Sequence, residues 1–393
     1  MSNKYQIVEV NSDKRQKEFL ELPVRLYKNE ENWIRPLDND IEDVFDPSKN
    51  KFFRNGDANR WLLLDNDSKT IGRVAAFYDK KTAGTYDQPT GGMGFFECIN
   101  DKEGAFMLFN TCKEWLEARG MEAMDGPINF GDRDRWWGLL VDGFDYEPNY
   151  CMPYNFPYYK ELFEEYGFKN FFNQYTYARE ISKEGLNPVI EEKANRLRTN
   201  PKYHFEHLDK NNLEKYTEDF RDIYNRAWER YAGVKKITKV HAKGLMKSLK
   251  PILDERIMLF GYYDNDPIAF FLMVPDINQI AKHLNGKLNL LGKLKFLYYK
   301  KLNPPNKILG LIFGVVPEHQ GKGVEGGLVM AFGDIALKKS FPYQHLELNW
   351  IGDFNPAMMK IAEQIGAKIR KTHVTYRYMF DPTKPFKRMK KVS

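Results

Sequence analysis

The sequence predicts a protein of the α/β class, in its α+β form, built from two similar units in tandem. Three observations carry this. Strand-like and helix-like segments alternate along the 393 residues, the order of the first half broadly recurs in the second, and a polar stretch with two prolines joins them. At roughly 150 residues per domain the length suits two domains, each able to bury its own core. Apolar residues at 42% and aromatic residues at 15% exclude a disordered chain, whose apolar surface is too small to offset the entropy of ordering.

In the first unit, residues 5–10 read as a strand, and Asp13 opens a helix with Phe19, Leu20, Leu22 and Leu26 at helical spacing. Strands over 61–64 and 70–77 flank the turn Asp65-Asn66-Asp67-Ser68, which suits a hairpin. A strand over 93–99 precedes a helix over 101–119, stopped by Gly120; a short strand follows at 121–124. A helix over 158–166, ended by Gly167, and a strand over 171–177 complete the unit. The second unit reads as a strand over 203–208, helices over 213–231 and 240–253, and a hairpin of 257–263 with 267–273. A strand over 308–316, a helix over 323–338, a strand over 345–350, a helix over 355–364 and a strand pair or one long strand over 368–379 then close the chain. The expected units are residues 1–180 and 202–393, with 181–201, around Pro188 and Pro201, as connector.

The formal charge is 60 − 54 = +6, and it is unevenly spread. Residues 1–180 hold 23 basic and 32 acidic side chains, or −9; residues 181–393 hold 37 and 22, or +15. Apolar runs such as 268–274 are under half a membrane-spanning length, and the amino terminus lacks the apolar stretch of a signal peptide. Cys98, Cys112 and Cys151 are odd in number and lack metal-ligand spacing, so neither a disulfide framework nor a metal site is expected. These features predict a cytoplasmic protein.

The most informative stretch is Leu311-Ile312-Phe313-Gly314-Val315-Val316-Pro317-Glu318-His319-Gln320-Gly321-Lys322-Gly323-Val324-Glu325-Gly326-Gly327. An apolar strand ends in a Gly-rich turn that opens directly into a helix. Free backbone N–H groups and the positive end of a helix dipole then meet at one spot, open to a phosphate. It is neither GxxxxGK[ST] nor GxGxxG.

The run Val315-Val316-Pro317-Glu318-His319-Gln320-Gly321-Lys322-Gly323-Val324 resembles motif A of the GNAT superfamily of N-acetyltransferases, with Val315, Pro317, Gln320 and Gly323 at matching positions. Glu325 stands where that family has Gly or Ala. Asn355-Pro356-Ala357 through Ile365-Gly366-Ala367 is similar to motif B, with an echo from Asn155 to Phe168. The whole chain resembles a group of bacterial tandem-GNAT proteins through Gly126-Pro127-Ile128-Asn129-Phe130, Met152-Pro153-Tyr154-Asn155, Val274-Pro275-Asp276-Ile277-Asn278 and Glu347-Leu348-Asn349-Trp350.

The resemblance implies two GNAT-like domains, each a mixed, mostly antiparallel sheet flanked by helices. The second would bind acetyl-CoA or another acyl-CoA as co-substrate in a gap beside the motif A strand. Phe313 and Val315 would hold pantetheine through their backbone, Gln320, Gly321, Lys322, Gly323 and Val324 would take the pyrophosphate, and Asn355 would open the motif B helix. The first half reads Asn100-Asp101-Lys102-Glu103 at the corresponding place, with acids where a phosphate cradle is needed, and should not bind CoA.

Attack on a thioester needs a neutral amine, hence a base, and a proton donor for the thiolate. The motif B position at which many relatives carry Tyr is Ala362. Glu347 is the base candidate, Tyr376 and His373 are proton-donor candidates, and Asp276 and Asn278 are candidates for an acceptor pocket. Residues 281–307 set Leu284, Leu288, Leu290, Leu291, Leu294, Phe296 and Leu297 among seven lysines without an acid, which suits either an anionic membrane or a lid or interdomain packing element whose lysines face solvent or the CoA phosphates; the latter is the favoured reading. The loop Gly131-Asp132-Arg133-Asp134-Arg135-Trp136-Trp137-Gly138 could close over the acceptor or cap its own sheet.

The expected activity is N-acyl transfer from acyl-CoA to a small-molecule or peptide amine by direct attack. Two alternatives stay open: a tRNA-dependent aminoacyl transferase of tandem type, and a non-catalytic CoA-binding sensor or scaffold. Nucleic acid is not the expected partner.

Overall fold

The computed structural model describes residues 4–85, 87–229 and 236–391. The first half runs β1 (Tyr5–Glu9), α1 (Asp13–Leu26), α2 (Asp38–Phe45), β2 (Gly56–Asp65), β3 (Thr70–Asp79), the single turn α3 (Lys80–Ala83) and β4 (Thr90–Cys98). Then come α4 (Lys102–Glu117), β5 (Ala123–Gly126), β6 (Leu139–Asp142), α5 (Tyr159–Tyr166) and β7 (Lys169–Glu180). Helix α6 (Pro188–Arg198) leads into β8 (Tyr203–His207), α7 (Leu213–Trp228), α8 (Lys239–Leu249), β9 (Met258–Tyr263), β10 (Asp266–Pro275), α9 (Asn278–Ala281) and α10 (Leu290–Leu302). The chain ends with β11 (Lys307–Val315), α11 (Val324–Ala336), β12 (His345–Gly352), α12 (Pro356–Gln364) and β13 (Lys368–Met379). The helix expected over 213–231 is present to Trp228; residues 230 and 231 lie outside the described residues.

Among the described residues, all strands join one 13-stranded sheet, ordered β1-β2-β3-β4-β5-β13-β7-β12-β11-β10-β9-β8, with β6 beside β13. Two neighbouring pairs, β4 with β5 and β11 with β12, are parallel; the rest are antiparallel. The order differs from two closed units in one respect. The last strand of each half crosses to the other: β7 lies against β12, and β13 lies against β5. The cores record the exchange, since Tyr177 of β7 packs in the second half's cluster and Val374 and Tyr376 of β13 pack in the first half's.

The stretch expected as a connector is likewise packed. In α6, Ile190, Ala194 and Leu197 are buried. A Cβ on Gly326 of α11 would lie 2.8 Å from the Ile190 carbonyl oxygen, and one on Gly327 would lie 2.2 Å from the Phe205 ring. These two glycines serve close approach of α6 and β8.

Candidate functional site

Strands β11 and β12 pair in parallel only over 307–310 against 345–348. Beyond that β11 keeps its pairing with β10, out to Val315 opposite Ala269, and β12 keeps its pairing with β7, out to Gly352 opposite Gln174. Each strand follows its outer neighbour, so the pair parts into a wedge. Two irregularities mark its origin. Leu272 faces Ile312 while Met273 faces Gly310, which leaves Leu311 as a bulge, 41% exposed; on the other side the register slips between Leu348 and Ile351, around Asn349 and Trp350.

Register settles which backbone groups face the wedge. The Val316 N–H donates to the Ile268 carbonyl at 2.9 Å, so Val316 is a hydrogen-bonded position toward β10. Alternation along an antiparallel ladder then turns the N–H and C=O of Val315 and Phe313 away from β10 and into the wedge. The Gln320 amide donates to the Val315 carbonyl at 2.9 Å and ties the following turn to the strand end.

That turn has Gly321 at φ +72° and Gly323 at φ +96°, left-handed conformations that suit glycine. Gly323 precedes the 13-residue helix α11 without a side-chain cap. Among the described residues, the N–H groups of Gly321, Lys322, Gly323, Val324 and Glu325 meet no acceptor, and the Lys322 side chain is exposed beside them. Free donors at the positive end of a helix dipole form an anion cradle. The Gln320 N–H is spent on the Pro317 carbonyl at 3.3 Å. Phe313 packs edge-to-face on Phe271 at 5.6 Å, Val324 is fully buried, and Asn355 caps α12 by accepting from the Met358 N–H at 3.2 Å.

The first half has the same elements with the openings filled. Strands β4 and β5 pair over 90–92 and part. Ile128 enters the gap: its N–H donates to the Met93 carbonyl at 2.8 Å, and a Cβ on Gly94 would sit 1.8 Å from its carbonyl oxygen. At the N-terminus of α4 the Asp101 carboxylate accepts from the Gly104 N–H at 2.8 Å and pairs with Lys4 at 3.0 Å. An anion is already present there, as this half's own side chain.

Beyond the wedge lies a cavity of about 2180 Å³ walled by both halves. Leu311, Ile312, Asn349 and Trp350 lead into it; Phe77, Phe130 and Trp137 close one side, and Phe220, Met246 and Leu249 the other. The loop expected either to reach across or to cap its own sheet lines this cavity, and the Trp350 indole N–H donates to the Arg133 carbonyl at 3.0 Å. Two polar groups on this wall were not among the expected site residues. Asn129 is buried and its Oδ1 has no hydrogen-bond partner among the described residues. Asp134 is reachable by solvent yet crowded by the cavity walls; burial pushes its carboxyl up, and Arg135 only partly offsets this. The polarity of residues 131–138 was a signal for Asp134, and Asn129 lies in the stretch 126–130 that carries the resemblance, though no role was read from it.

The remaining expected site residues fall in two other places. Glu347, Asp276 and Asn278 meet in a buried ion cluster at the closed end of the wedge. Glu347 lies 3.2 Å from Lys371, 3.1 Å from Arg370 and 3.7 Å from Lys307, and accepts from the Asn149 amide at 2.8 Å. Burial pushes its carboxyl up, but Lys371 and then Lys307, Asn149 and Arg370 outweigh it and pull it down to about 2. Asp276 pairs with Lys307 at 2.9 Å and accepts from the backbone N–H groups of Tyr150 at 3.2 Å and Asn278 at 3.1 Å, while the Asn278 amide donates to the Pro148 carbonyl at 2.7 Å. The cluster pins the loop before Cys151 onto the second half.

Tyr376 is not brought to the wedge. The strand exchange places it in the first half's core beside Phe163, where its hydroxyl donates to Glu164 at 2.8 Å, whereas Val315 belongs to the other core. His373 is buried, its Nε2 lies 3.2 Å from the Pro153 carbonyl, and burial pulls its ring down to about 4, so it is neutral.

No family model matches the chain. Two known proteins match it nearly end to end. A bacterial ceramide synthase of Caulobacter vibrioides is 28% identical over 379 residues, which is 94% of this chain and 96% of that protein. Protein YghO of Escherichia coli is 24% identical over 366 residues, 92% of each. Among solved structures, a tandem GNAT protein from the clavulanic acid biosynthesis pathway superposes with a TM-score of 0.54 at 10% identity, over 97% of this chain and 100% of that one. A GCN5-related glucosamine N-acetyltransferase region in a fungal multi-domain β-N-acetylglucosaminidase gives 0.56 at 11% identity over 96% of this chain, which spans 38% of that larger chain. The fold is therefore that of tandem GNAT proteins, a mixed and mostly antiparallel sheet flanked by helices.

Proposed function

We propose that this chain is an N-acyltransferase that takes an acyl group from acyl-CoA and joins it to the amine of a long-chain acceptor. One observation carries the reading: a wedge whose strand edge offers the backbone of Phe313 and Val315 opens at its wide end on the donor-rich turn at residues 321–325 and, beside Leu311, Ile312, Asn349 and Trp350, on an apolar cavity. Pantetheine would lie along the strand edge and the pyrophosphate would take the free N–H groups beside Lys322.

The cavity supports a long-chain substrate class. Sites for drug-sized ligands run to roughly 1,000 Å³, and about 2180 Å³ exceeds that twofold. An acetyl group and a small amine would leave most of it unfilled, whereas a long acyl chain with a long-chain amine would use it. A ceramide is the amide of a fatty acid and a long-chain amine, so the name of the Caulobacter relative points to the same bond.

In the reaction, the amine nitrogen attacks the thioester carbonyl, the C–N bond forms and the oxyanion points to the Val315 N–H, a preorganised donor. The C–S bond then breaks and the sulfur leaves as the thiolate, which takes up the proton lost by the amine and departs as the thiol. Asp134, raised by burial and set on the cavity wall, is the group to accept the amine's proton, and the unpaired Asn129 Oδ1 can accept an N–H from the acceptor. Glu347, held near 2 by three cations, is a weak base at neutral pH, and we assign it to anchoring the loop before Cys151.

Calorimetric titration with palmitoyl-CoA tests the reading and should give one site per chain. Mass spectrometry of mixtures with a long-chain amine should detect the amide. Absence of CoA binding, two sites per chain, or transfer confined to acetyl-CoA would refute it.

A further inference from the structure

Helix α10 presents its apolar side outward. Leu290, Leu291, Leu294, Leu297, Tyr298 and Leu302 are between 57% and 75% exposed, while the one fully buried residue of the helix is Gly292. At 100° per residue these six side chains span an arc of about 140°. The opposite arc, Gly292, Phe296 and Tyr299, lies on the protein, where Tyr299 stacks on His283 at 4.1 Å. A packing element would turn its leucines inward, whereas here only Gly292, Phe296 and Tyr299 are turned toward the protein.

Charge decides what this face fits. Residues 281–307 contain seven lysines and no acid. Lys282 and Lys287 are spent on Glu147 and Asp38, and Lys300 donates to the Pro251 carbonyl. Among the described residues, Lys293, Lys295 and Lys301 have no ion pair. Lys293 and Lys295 fall at the two edges of the leucine arc and Lys301 within it, on stems long enough to reach phosphates while the leucines enter acyl chains. The same helix forms a lip of the cavity, with Lys293, Phe296 and Leu297 among its walls.

We propose that α10 seats the protein on an anionic bilayer surface with the cavity mouth against the lipid, so that a long-chain substrate passes from membrane to cavity without crossing water. The passage of substrate rests on the proposed acyl transfer; the docking itself does not.

The test uses the full chain and no CoA. It should co-sediment with vesicles of phosphatidylcholine and phosphatidylglycerol in equal parts, and not with phosphatidylcholine alone. The triple variant Leu290→Glu/Leu291→Glu/Leu294→Glu should lose at least tenfold in vesicle partition with an unchanged thermal melt, and Lys295→Gln/Lys301→Gln should lose binding as salt does. No binding to anionic vesicles, or equal binding by the variants, overturns the proposal. So does a wild-type dimer that the leucine variant converts to monomer, since a second copy would then cover the face. Failure here with single-site CoA binding intact would leave acyl transfer standing.

Discussion

Glu347→Gln separates a proton-transfer role from an anchoring one. Glu347 meets three cations, and they differ in what they lose. Lys307 keeps Asp276 at 2.9 Å, and Arg370 is partly solvated, with its side chain 29% exposed. Lys371 is 3% exposed, and its carboxylate partner within 4 Å is Glu347. The variant therefore strands a buried ammonium, which burial already pulls down. The depression of Glu347 from 4.5 to about 2 corresponds, at 1.36 kcal/mol per pH unit, to roughly 3 kcal/mol of stability at neutral pH. Removing one member of a buried pair costs about 3–5 kcal/mol by direct comparison. Because the folded value is the lower one, this contribution is complete above pH 4.5 and is lost as pH falls toward 2. Urea unfolding followed by tryptophan fluorescence should lower the midpoint at pH 7, with the gap between wild type and variant narrowing in acid. Adding Lys371→Met should recover part of the loss. Full stability at pH 7 with turnover abolished would refute the anchoring argument and make Glu347 the base.

Other outcomes follow from the same geometry. Gly323→Ala puts a Cβ at φ +96° and 3.0 Å from that of Lys193, so it should cost at least about 1 kcal/mol and weaken CoA binding in calorimetry. Asp101→Ala removes the cap of α4 and should cost about 1 kcal/mol, yet CoA stoichiometry should stay at one, because Ile128 still fills the first wedge. Asp134→Asn should lower turnover about a hundredfold with CoA affinity unchanged. It should also erase the acidic limb of the pH–rate profile, since a base raised by burial is protonated below its own pKa and active above it.

The local elements were legible because apolar spacing specifies them: β3, α4, β10 and α11 lie within a few residues of their expected bounds. Helix α2 and strand β6 escaped notice, being eight and four residues long with little periodicity. Strand partners were another matter. Alternation in residues 368–379 says which side chains share a face, but it cannot say that Tyr376 will sit opposite Gly126, 250 positions earlier in the chain. The Gly-rich turn was visible as a motif because its chemistry is contiguous. The cavity was not, since its walls come from both halves and no single segment carries its outline. For α10 the spacing of leucines defined an apolar arc, and only the packing of Gly292 and Tyr299 revealed that it points outward.

The strand exchange also explains how two similar units could diverge so far. With β7 and β13 side by side at the centre of one sheet, the two wedges open from a shared structure and are held by each other's strands. Filling one wedge then costs the other nothing. Ile128 and Asp101 close the first with a hydrogen-bonding backbone and a carboxylate, the two things a pantetheine and a pyrophosphate would otherwise bring. The freed half supplies walls: Phe77, Phe130 and Trp137 face the second wedge across the cavity, and Arg133 meets Trp350 at its edge. The net charge follows the same division. The half at −9 fills its anion cradle from within, while the half at +15 leaves its own cradle open and carries the lysines of α10. One duplicated architecture thus leaves a single open wedge, with the other half serving as wall of the cavity beside it.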